Sequence, residues 1–300
     1  MSAEARATLM VAAVALAWGS VGVFVREVDL PAVVIVAARA GLAAAALGAW
    51  LARRPERLPG AGVLRHRPAR TLLNGVVLAV HWVTFIAALQ RAPIGNVLLV
   101  IYLAPVGIAV LAPRVLGERV TPRTVLALAV AVAGIALVAS QTVAAEAEGM
   151  WFAVASAALY VWLAMLNKPL SSAYGGARLA FIQLLIAGAV LAPFAVAADL
   201  GDPSWSWAWL LVLGLGHTAV CIAVYLTALE RLPATRVAVL LYLEPVSAVA
   251  FGWALLSESP GPATLAGGAL VVAAGLLVAR PSRAVAVPAP TQPEVAGVPR

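Results

Sequence analysis

The chain has 300 residues, of which 63% are hydrophobic and 11% are charged, and its mean hydropathy is +1.00. Because soluble proteins carry about 25% charged residues, this composition excludes a soluble fold, and the single cysteine, Cys221, excludes an internal disulfide and gives no metal cluster. The net charge of +7 would indicate nucleic acid as a partner of a soluble protein, but the positions of the basic residues indicate a membrane instead.

Apolar runs of membrane-spanning length recur along the chain, and each spanning helix needs roughly 20 such residues. The first run follows Arg6 and is too long for the apolar region of a secretory signal, so we interpret it as a retained helix. The runs predict ten helices, numbered in chain order, at Ala7–Val25, Ala32–Ala52, Thr71–Gln90, Pro93–Leu116, Pro122–Ser140, Met150–Asn167, Ala177–Ala198, Ser206–Ala228, Pro233–Leu256 and Pro262–Ala279. The loops between them leave no room for a sizeable soluble domain.

Residues 281–300 differ from the rest of the chain. They contain five prolines and few large apolar side chains, which predicts a disordered, cytoplasmic tail with nothing to pack. A Pro-rich recognition motif is the alternative, and we consider it the weaker one.

The basic residues indicate the orientation of the predicted helices. If the amino terminus is cytoplasmic, 17 of the 20 Lys and Arg residues fall in cytoplasmic segments, whereas the outer turns hold Arg26 and Arg91, and Arg39 lies inside helix 2. Cytoplasmic loops of membrane proteins are enriched in these residues. The pattern predicts a multi-pass protein of the cell inner membrane with both termini in the cytoplasm.

The segment from Thr227 to Pro262 repeats the segment from Ala87 to Pro122, 140 positions earlier. The residues ALQR at 88–91 match ALER at 228–231, and YLAPV at 102–106 matches YLEPV at 242–246. Each copy has a proline near the middle of a predicted helix, Pro105 or Pro245, and such a break at membrane depth is tolerated only against protein or a wet cavity. Broken helices at matching places in two halves indicate the substrate site of a transporter.

Each copy contains five predicted helices, an odd number, so the second copy crosses the membrane in the opposite sense. We therefore predict two inverted repeats, at residues 1–140 and 141–280, related by a pseudo-twofold axis in the membrane plane. The matching residues Glu118 and Glu258 then lie at opposite surfaces as structural charges. Inverted halves provide a physical basis for alternating access. The alternative is a duplicated bundle that is stable but does not transport.

This pattern resembles the drug/metabolite transporter superfamily, and within it the ten-helix EamA-type transporters. The residues that carry the resemblance, over about residues 7–280, are Trp18-Gly19, Arg39, Tyr102 with Pro105, Gly117-Glu118, Glu244-Pro245-Val246 and Glu258. Ser257 departs from the pattern, since the first copy has Gly117 at that place. The resemblance implies secondary-active movement of small metabolites, often export of amino acids or drug-like compounds. It also implies a central cavity lined by helices 1, 3, 4, 6, 8 and 9.

Glu244 is the one acidic residue near the middle of a predicted span. A charge at that depth costs roughly 3 kcal/mol on insertion scales, so such residues are functional candidates. We predict that its carboxylate faces the cavity and binds a substrate cation or carries a proton. The alternative is a structural role, bonded to backbone groups freed near Pro245. The first copy has Ala104 at this position, and this broken symmetry favours function.

Arg39 lies about 10 Å below the outer end of helix 2, at 1.5 Å per residue. Because the resemblance implies that helix 2 is peripheral, we favour a structural charge that extends outward to the interface or caps a neighbouring helix. The alternative pairs Arg39 with Glu244 or with a substrate carboxylate.

His81 and His217 lie in the middle of helices 3 and 8, which are equivalent in the two repeats. A spacing of four places His217, Cys221 and Tyr225 on one helix face, and Thr84 shares a face with His81. These polar stripes indicate either a cavity lining or interhelical hydrogen bonds, and the sequence leaves both open.

Four aromatic residues complete the set of candidates for substrate contact. Trp18 and Trp162 correspond at an offset of 144 and are predicted to stack on a planar or cationic substrate, the alternative being core packing or, for Trp162, an interfacial belt. Tyr102 and Tyr242 match between the copies. Because Tyr242 is about 200° from Glu244 around its helix, one of those two faces points away from the cavity.

We therefore predict an all-α membrane transporter rather than an enzyme, without a cofactor and with Pro105 and Pro245 as hinges. Its expected partners are a small-molecule substrate, the lipid bilayer and a coupling proton or counter-solute, and not nucleic acid. A passive channel is the second hypothesis. An intramembrane enzyme using His81, His217 and Glu244 is the third, although the sequence supplies no nucleophile elbow or zinc-ligand spacing.

Overall fold

The computed structural model describes residues 1–53, 67–117, 120–139, 147–200, 206–257 and 260–279. Glu118, Glu258 and the predicted tail at 281–300 lie outside these ranges. In these ranges all regular secondary structure is helical, and none of it is strand. The helices are α1a (Ala3–Trp18), α1b (Val21–Arg26), α2 (Ala32–Ala52), α3 (Pro68–Leu89), α4a (Ile94–Ile101), α4b (Ala104–Val115), α5 (Pro122–Ala139), α6 (Ala147–Tyr174), α7 (Gly176–Val196), α8a (Ser206–Leu211), a π-helix (Val212–Val220), α8b (Cys221–Leu229), α9a (Ala234–Leu240), α9b (Leu243–Leu256) and α10 (Pro262–Ala279).

Seven helices of the described structure are long and apolar enough to cross a membrane. They correspond to α1, α2, α3, α6, α7, α8 and α9, each counted with its segments joined. In α5 and α10 only a shorter apolar stretch is described, and α4 is divided into segments of 8 and 12 residues. Seven of the ten predicted spans are therefore confirmed as helices of membrane-spanning length in the described residues, and the count of ten stays a prediction. The helix α6 is longer than predicted, because it continues past Pro169 to Tyr174.

The breaks in α4 and α9 lie at matching places, just before the prolines at 105 and 245. Proline has no backbone N–H and cannot donate to the carbonyl four residues earlier. At the second break this carbonyl belongs to Leu241, and the N–H of Glu244 donates to it instead, at 2.9 Å. Helix α1 is also interrupted, at Gly19. A Cβ atom at Gly19 would lie 2.0 Å from Ser247 Oγ, so α1 and α9b approach each other closely there.

The described helix 8 contains a π-helical segment that the sequence analysis did not predict. The hydroxyl of Thr218 donates to the carbonyl of Leu213, five residues earlier, at 2.7 Å. A wider turn changes which side chains share a face, so the predicted stripe through His217, Cys221 and Tyr225 does not follow regular spacing. Such segments are rare and occur frequently at functional sites.

Equivalent helices of the two repeats pack against each other. Gly41 of α2 faces Gly188 of α7, and Gly48 faces Phe181, so these two helices run antiparallel, as an inverted repeat requires. Helices α5 and α10 are also in contact, since a Cβ at Gly134 would lie 2.6 Å from the carbonyl oxygen of Gly267. The contacts of α3 with α6 and of α1 with α8 form a further matched pair. These helices surround a central cavity.

Candidate functional site

The cavity at the centre of the bundle contains about 80 Å³ that is open to the centres of water molecules. Since one water needs roughly 10–15 Å³ by this measure, the space holds several waters. Side chains from eight helices line it: Trp18, Val21, Arg39, Leu78, His81, Trp82, Phe85, Ile101, Tyr102, Tyr160, Leu163, Asn167, Gln183, Ile222, Tyr225 and Glu244. The cavity implied by the resemblance is therefore extended by α2 and α7, which contribute Arg39 and Gln183.

Glu244 lies in the first turn of α9b, where the freed N–H groups of the helix favour a negative charge. Its side chain is buried and lines the cavity. The Tyr102 hydroxyl donates to Glu244 Oε2 at 2.5 Å, and this bond joins the broken helices of the two repeats. Tyr242 does not line the cavity; its hydroxyl donates to the carbonyl of Tyr102 at 3.0 Å. The two equivalent tyrosines thus have different roles, as the angle around the helix predicted.

Arg39 faces the cavity, so the interpretation that it extends outward to the interface is wrong. Its side chain is only 3% exposed. Its Nε donates to Thr218 Oγ1 at 3.0 Å, and the guanidinium carbon lies 4.3 Å from the centre of the Trp82 ring. That stacking is favourable for a desolvated cation. The Nη1 atom is buried and has no hydrogen-bond partner in the described part of the chain.

His81 lines the cavity and is held by helix α6. Its Nδ1 lies 3.0 Å from the carbonyl oxygen of Ser156 and 2.9 Å from the hydroxyl of the same residue. A carbonyl oxygen only accepts, so Nδ1 carries the proton and Nε2 is left as an acceptor. The ring stacks on Tyr160 with centroids 5.3 Å apart. Helix α6 therefore fixes the orientation of a polar group at the cavity wall.

His217 is not brought to the cavity. Its Nε2 lies 2.8 Å from Ser20 Oγ, at the interruption of α1. The indole N–H of Trp18 donates to the carbonyl oxygen of His217 at 2.9 Å. Trp18 and Tyr225 do line the cavity, with ring centroids 5.5 Å apart. The π-helical segment thus separates His217 from Tyr225 and ties α8 to the interrupted α1.

Two other predicted contact residues lie away from the cavity. The hydroxyl of Thr84 donates to the carbonyls of Val80 and His81, both at 2.9 Å, and is bonded within its own helix. The side chain of Trp162 is 59% exposed on the outside of the bundle. Trp18 lines the cavity and Trp162 does not, so the two tryptophans are not structurally equivalent despite their offset of 144.

Gln183, Asn167 and Tyr160 line the cavity and were missed by the sequence analysis. Gln183 is 1% exposed, and its Oε1 has no hydrogen-bond partner within the described ranges. A signal for it was present, because Gln183 follows Arg39 by 144 positions, the offset that also relates Glu4 to Glu148 in the first turns of α1a and α6. Asn167 accepts from Asn74 Nδ2 at 2.8 Å, and this bond joins α6 to α3.

Comparison with known proteins gives a consistent result for both halves of the chain. Residues 5–140 and 147–280 each match the model of the EamA-like transporter family. The chain is 30% identical over 215 residues to an uncharacterized transporter of Archaeoglobus fulgidus, which covers 71% of this chain and 77% of that protein. It is 27% identical over 254 residues to the pseudopaline exporter of Pseudomonas aeruginosa, covering 84% and 87% of the two chains.

Two further matches extend this comparison. The chain is 30% identical over 194 residues to a probable terminal-alkyne amino-acid exporter of Streptantibioticus cattleyicolor, covering 63% of this chain and 65% of that protein. A protein of known crystal structure superposes with a TM-score of 0.76 at 21% identity, covering 92% of this chain and 98% of the other. The superposition shows a shared fold.

Proposed function

Because the chain belongs to the EamA-like transporter family, whose model it matches over both halves, we propose that this membrane transporter is a secondary-active exporter of a small organic solute. Two relatives are named as exporters, which supports export as the direction. In this proposal ten helices span the inner membrane as two inverted repeats, at 1–140 and 141–280, with both termini in the cytoplasm. The solute moves against a proton or a counter-solute.

The observation that carries the proposal is the central cavity between the repeats. It is lined by a buried cation, Arg39, and a buried anion, Glu244. Ionisable groups at this depth are costly and mark substrate or ion pathways. Each is contributed by a different repeat, so a movement of one repeat against the other changes the site. The breaks before Pro105 and Pro245 are proposed as the hinges for that movement.

The experiment that tests this function is counterflow in proteoliposomes against a panel of amino acids, amines and carboxylates. We expect saturable uptake that is stimulated by solute on the opposite side. Imposing a pH gradient distinguishes proton coupling from exchange of solutes. A passive channel shows neither counterflow nor saturation. That outcome would contradict the carrier hypothesis and support the channel hypothesis.

The variant Glu244→Gln tests the role of the cavity carboxylate in the same assay. We expect counterflow to fall about 10-fold or more, since a charge-assisted contact contributes roughly 1.5–3 kcal/mol. Glu27→Gln is the matched control, because Glu27 is an exposed carboxylate outside the cavity. Undiminished exchange in Glu244→Gln would remove the carboxylate from the mechanism.

The hypothesis of an intramembrane enzyme requires His217 to act together with His81 and Glu244. In the structure the His217 ring is hydrogen-bonded to Ser20 instead.

A further inference from the structure

A second cavity of the described structure lies on the outside of the bundle, away from the central cavity. It has a volume of about 560 Å³ and lies between the start of α3, the end of α4b and the C-terminal part of α6. Sites for small ligands usually have about 300–1,000 Å³, so this space can hold one. Its lining includes three cations, Arg67, Arg70 and Lys168, and no acidic side chain among the described residues. We call it the basic cleft.

The fold gathers these cations at one end of the bundle. The hydroxyl groups of Thr71 and Tyr174 are 2.8 Å apart, so the start of α3 lies against the end of α6. Lys168 Nζ donates to the carbonyls of Leu229 and Leu232, both at 2.8 Å, which fixes the ammonium beside the end of α8b. Both acceptors are neutral groups, so these two bonds position the ammonium and do not neutralise it.

Arg67 and Arg70 are exposed, and neither forms an ion pair with an acidic residue of the described ranges. Like charges that line one space repel each other, and the repulsion grows where part of the surroundings is apolar. An anion bound between them turns this repulsion into attraction. Guanidinium groups bind phosphate with well-defined, often bidentate geometry, so the cations indicate a phosphate group as the ligand.

The rest of the cleft is apolar and faces the outside of the bundle. Val115 of α4b is 54% exposed and Trp162 of α6 is 59% exposed. Trp162 precedes Lys168 by six positions, which is about 9 Å along the helix at 1.5 Å per residue. The headgroup layer is about 5–8 Å thick on each side of the hydrocarbon core. When Lys168 lies among the headgroups, Trp162 therefore lies at the edge of the hydrocarbon, where tryptophan is enriched.

The counterpart of this cleft in the other repeat is not basic. Helix α8, which is equivalent to α3, begins with SWAWLL and has tryptophans where α3 begins with Arg70 in its first turn. Phe24 precedes Lys168 by 144 positions and packs on the Trp209 ring, with centroids 5.4 Å apart. The fold of the repeat therefore does not require these cations. Their presence at one end is expected for a ligand of one leaflet, and the cytoplasmic leaflet, which the proposed orientation places at this end, carries the anionic lipids.

We propose that the basic cleft binds an anionic phospholipid. Arg67 and Arg70 contact its phosphate, Lys168 adds a third positive charge, and one acyl chain lies along Val115 and Trp162. A free phosphate ion would use the same cations but not the apolar wall, and a lipid with a neutral headgroup would use the wall and bring a positive group to the cations. The cleft therefore selects a lipid by the net charge of its headgroup.

Quenching of tryptophan fluorescence by brominated lipids tests this proposal on the full-length protein in phosphatidylcholine vesicles. The probes are phosphatidylglycerol and phosphatidylcholine, each brominated at the same place on an acyl chain. The signal of Trp162 is the difference between the wild type and Trp162→Phe. We expect phosphatidylglycerol to bind beside Trp162 about 5-fold or more tightly than phosphatidylcholine. Equal binding of the two lipids at Trp162 would overturn the proposal.

Trp253 provides the matched control site, because it is 63% exposed on α9b and does not line the basic cleft. The difference between the wild type and Trp253→Phe gives its signal, and there we expect the two lipids to bind equally. A preference of the same size at both tryptophans would show a general attraction of anionic lipids to the protein and would contradict a specific site.

Paired variants assign the preference to the cations of the cleft. Arg67→Gln together with Arg70→Gln should reduce the preference for phosphatidylglycerol at Trp162 to within about two-fold of none. Arg53→Gln together with Arg123→Gln removes the same charge from exposed residues at the same end of the bundle, outside the cleft, and should leave the preference unchanged. Equal losses in the two double variants would assign the preference to diffuse surface charge, against the proposal.

An excess of inorganic phosphate, compared with chloride at the same ionic strength, distinguishes a lipid from a soluble anion. We expect both salts to have the same effect on quenching of Trp162, since the apolar wall contributes to binding of the lipid alone. Displacement of the brominated lipid by phosphate and not by chloride would show that a soluble anion occupies the cleft, and the assignment to a lipid would be wrong.

The lipid site and the proposed function can fail separately, because the basic cleft lies outside the central cavity. Saturable counterflow without a lipid preference at Trp162 would support the transporter and contradict the lipid site. A lipid preference without counterflow would support the lipid site and contradict the carrier.

Discussion

The tyrosines at the matching positions 102 and 242 show how one repeated residue acquires two roles. The Tyr102 hydroxyl reaches the carboxylate of Glu244, whereas the Tyr242 hydroxyl reaches the backbone of Tyr102. The sequences around them are nearly the same, and the difference arises because the first copy has Ala104 where the second has Glu244. Tyr102 therefore belongs to the cavity and Tyr242 to the packing behind it.

Removing each hydroxyl separately should have different consequences. Tyr102→Phe takes a donor from a charged acceptor, a bond worth about 1.5–3 kcal/mol, so we expect counterflow to slow by about 10-fold or more. Tyr242→Phe takes a donor from a neutral carbonyl, worth about 1 kcal/mol, so we expect a small loss of thermal stability and nearly normal counterflow. The measurements are counterflow rates and thermal unfolding of both purified variants. Equal effects on counterflow would contradict this division of roles.

At the level of single residues, the sequence predicted the position of Glu244 but not the direction of Arg39. A carboxylate beside a proline in the middle of an apolar run stands out in the sequence as a candidate functional residue. Helix α2 is different, because only apolar side chains and a glycine surround Arg39 on the helix. No polar stripe marks the inward face, so only packing shows that Arg39 points to the cavity. Gln183 was not predicted to line the cavity for the same reason.

The interrupted helices are the features that bring the cavity residues together. In α4 and α9 the interruption follows from proline and was predicted. In α1 it occurs at Gly19, and in α8 it takes the form of the π-helical segment, neither of which a proline marks. The segment in α8 places Thr218 against Arg39. Periodicity alone treats α8 as regular, which is why the predicted face of His217, Cys221 and Tyr225 was not correct.

The close contact at Gly19 makes a prediction about the packing of α1 on α9b. A Cβ at this position would lie 2.0 Å from Ser247 Oγ and 2.7 Å from the backbone nitrogen of Ala248. Gly19→Ala should therefore force the helices apart and destabilise the protein by about 1–3 kcal/mol, as overpacking does. Thermal unfolding of the purified protein measures the loss.

Gly268→Ala is the matched control for this substitution. A Cβ at Gly268, inside α10, would have no atom within 4 Å, so alanine should be neutral or stabilise by about 0.5–1 kcal/mol. If both alanine variants unfold at the same temperature, the close approach of α1 and α9b does not constrain the fold.

At the scale of the whole molecule, some equivalent residues make equivalent contacts in the two repeats. Gln90 donates to the carbonyl of Leu30 before α2, and the matching residue Glu230 accepts from the N–H of Gly176 at the start of α7. Two ion pairs join the repeats in a related way, although Arg91 matches Arg231 in the sequence and not Arg236. Glu4 and Glu148, in the first turns of α1a and α6, pair with Arg236 and Arg91 of the opposite repeat. Since the proposed repeats are inverted, the pairs lie at opposite ends of the molecule, where each joins the two halves.

The two ion pairs should therefore act in opposite directions on an alternating-access equilibrium. Exposed pairs of this kind are worth about 0.2–1 kcal/mol, which corresponds to a shift of up to roughly five-fold in the populations of the two end states. Glu148→Gln should favour the state that is open near Arg91, and Glu4→Gln the state that is open near Arg236. In the double variant the two shifts should cancel. Hydrogen exchange of residues 91–97 and 231–237 in proteoliposomes measures the opening at each end.

The decisive feature is the response at the end that was not mutated. Opening of one end in an alternating carrier requires closure of the other, so exchange should rise at one segment and fall at the other in each single variant. Loss of a purely local contact would raise exchange at the mutated end and leave the opposite end unchanged. That result would contradict the coupling of the two ends, because the two halves would then open independently and could not exchange access to the cavity between them.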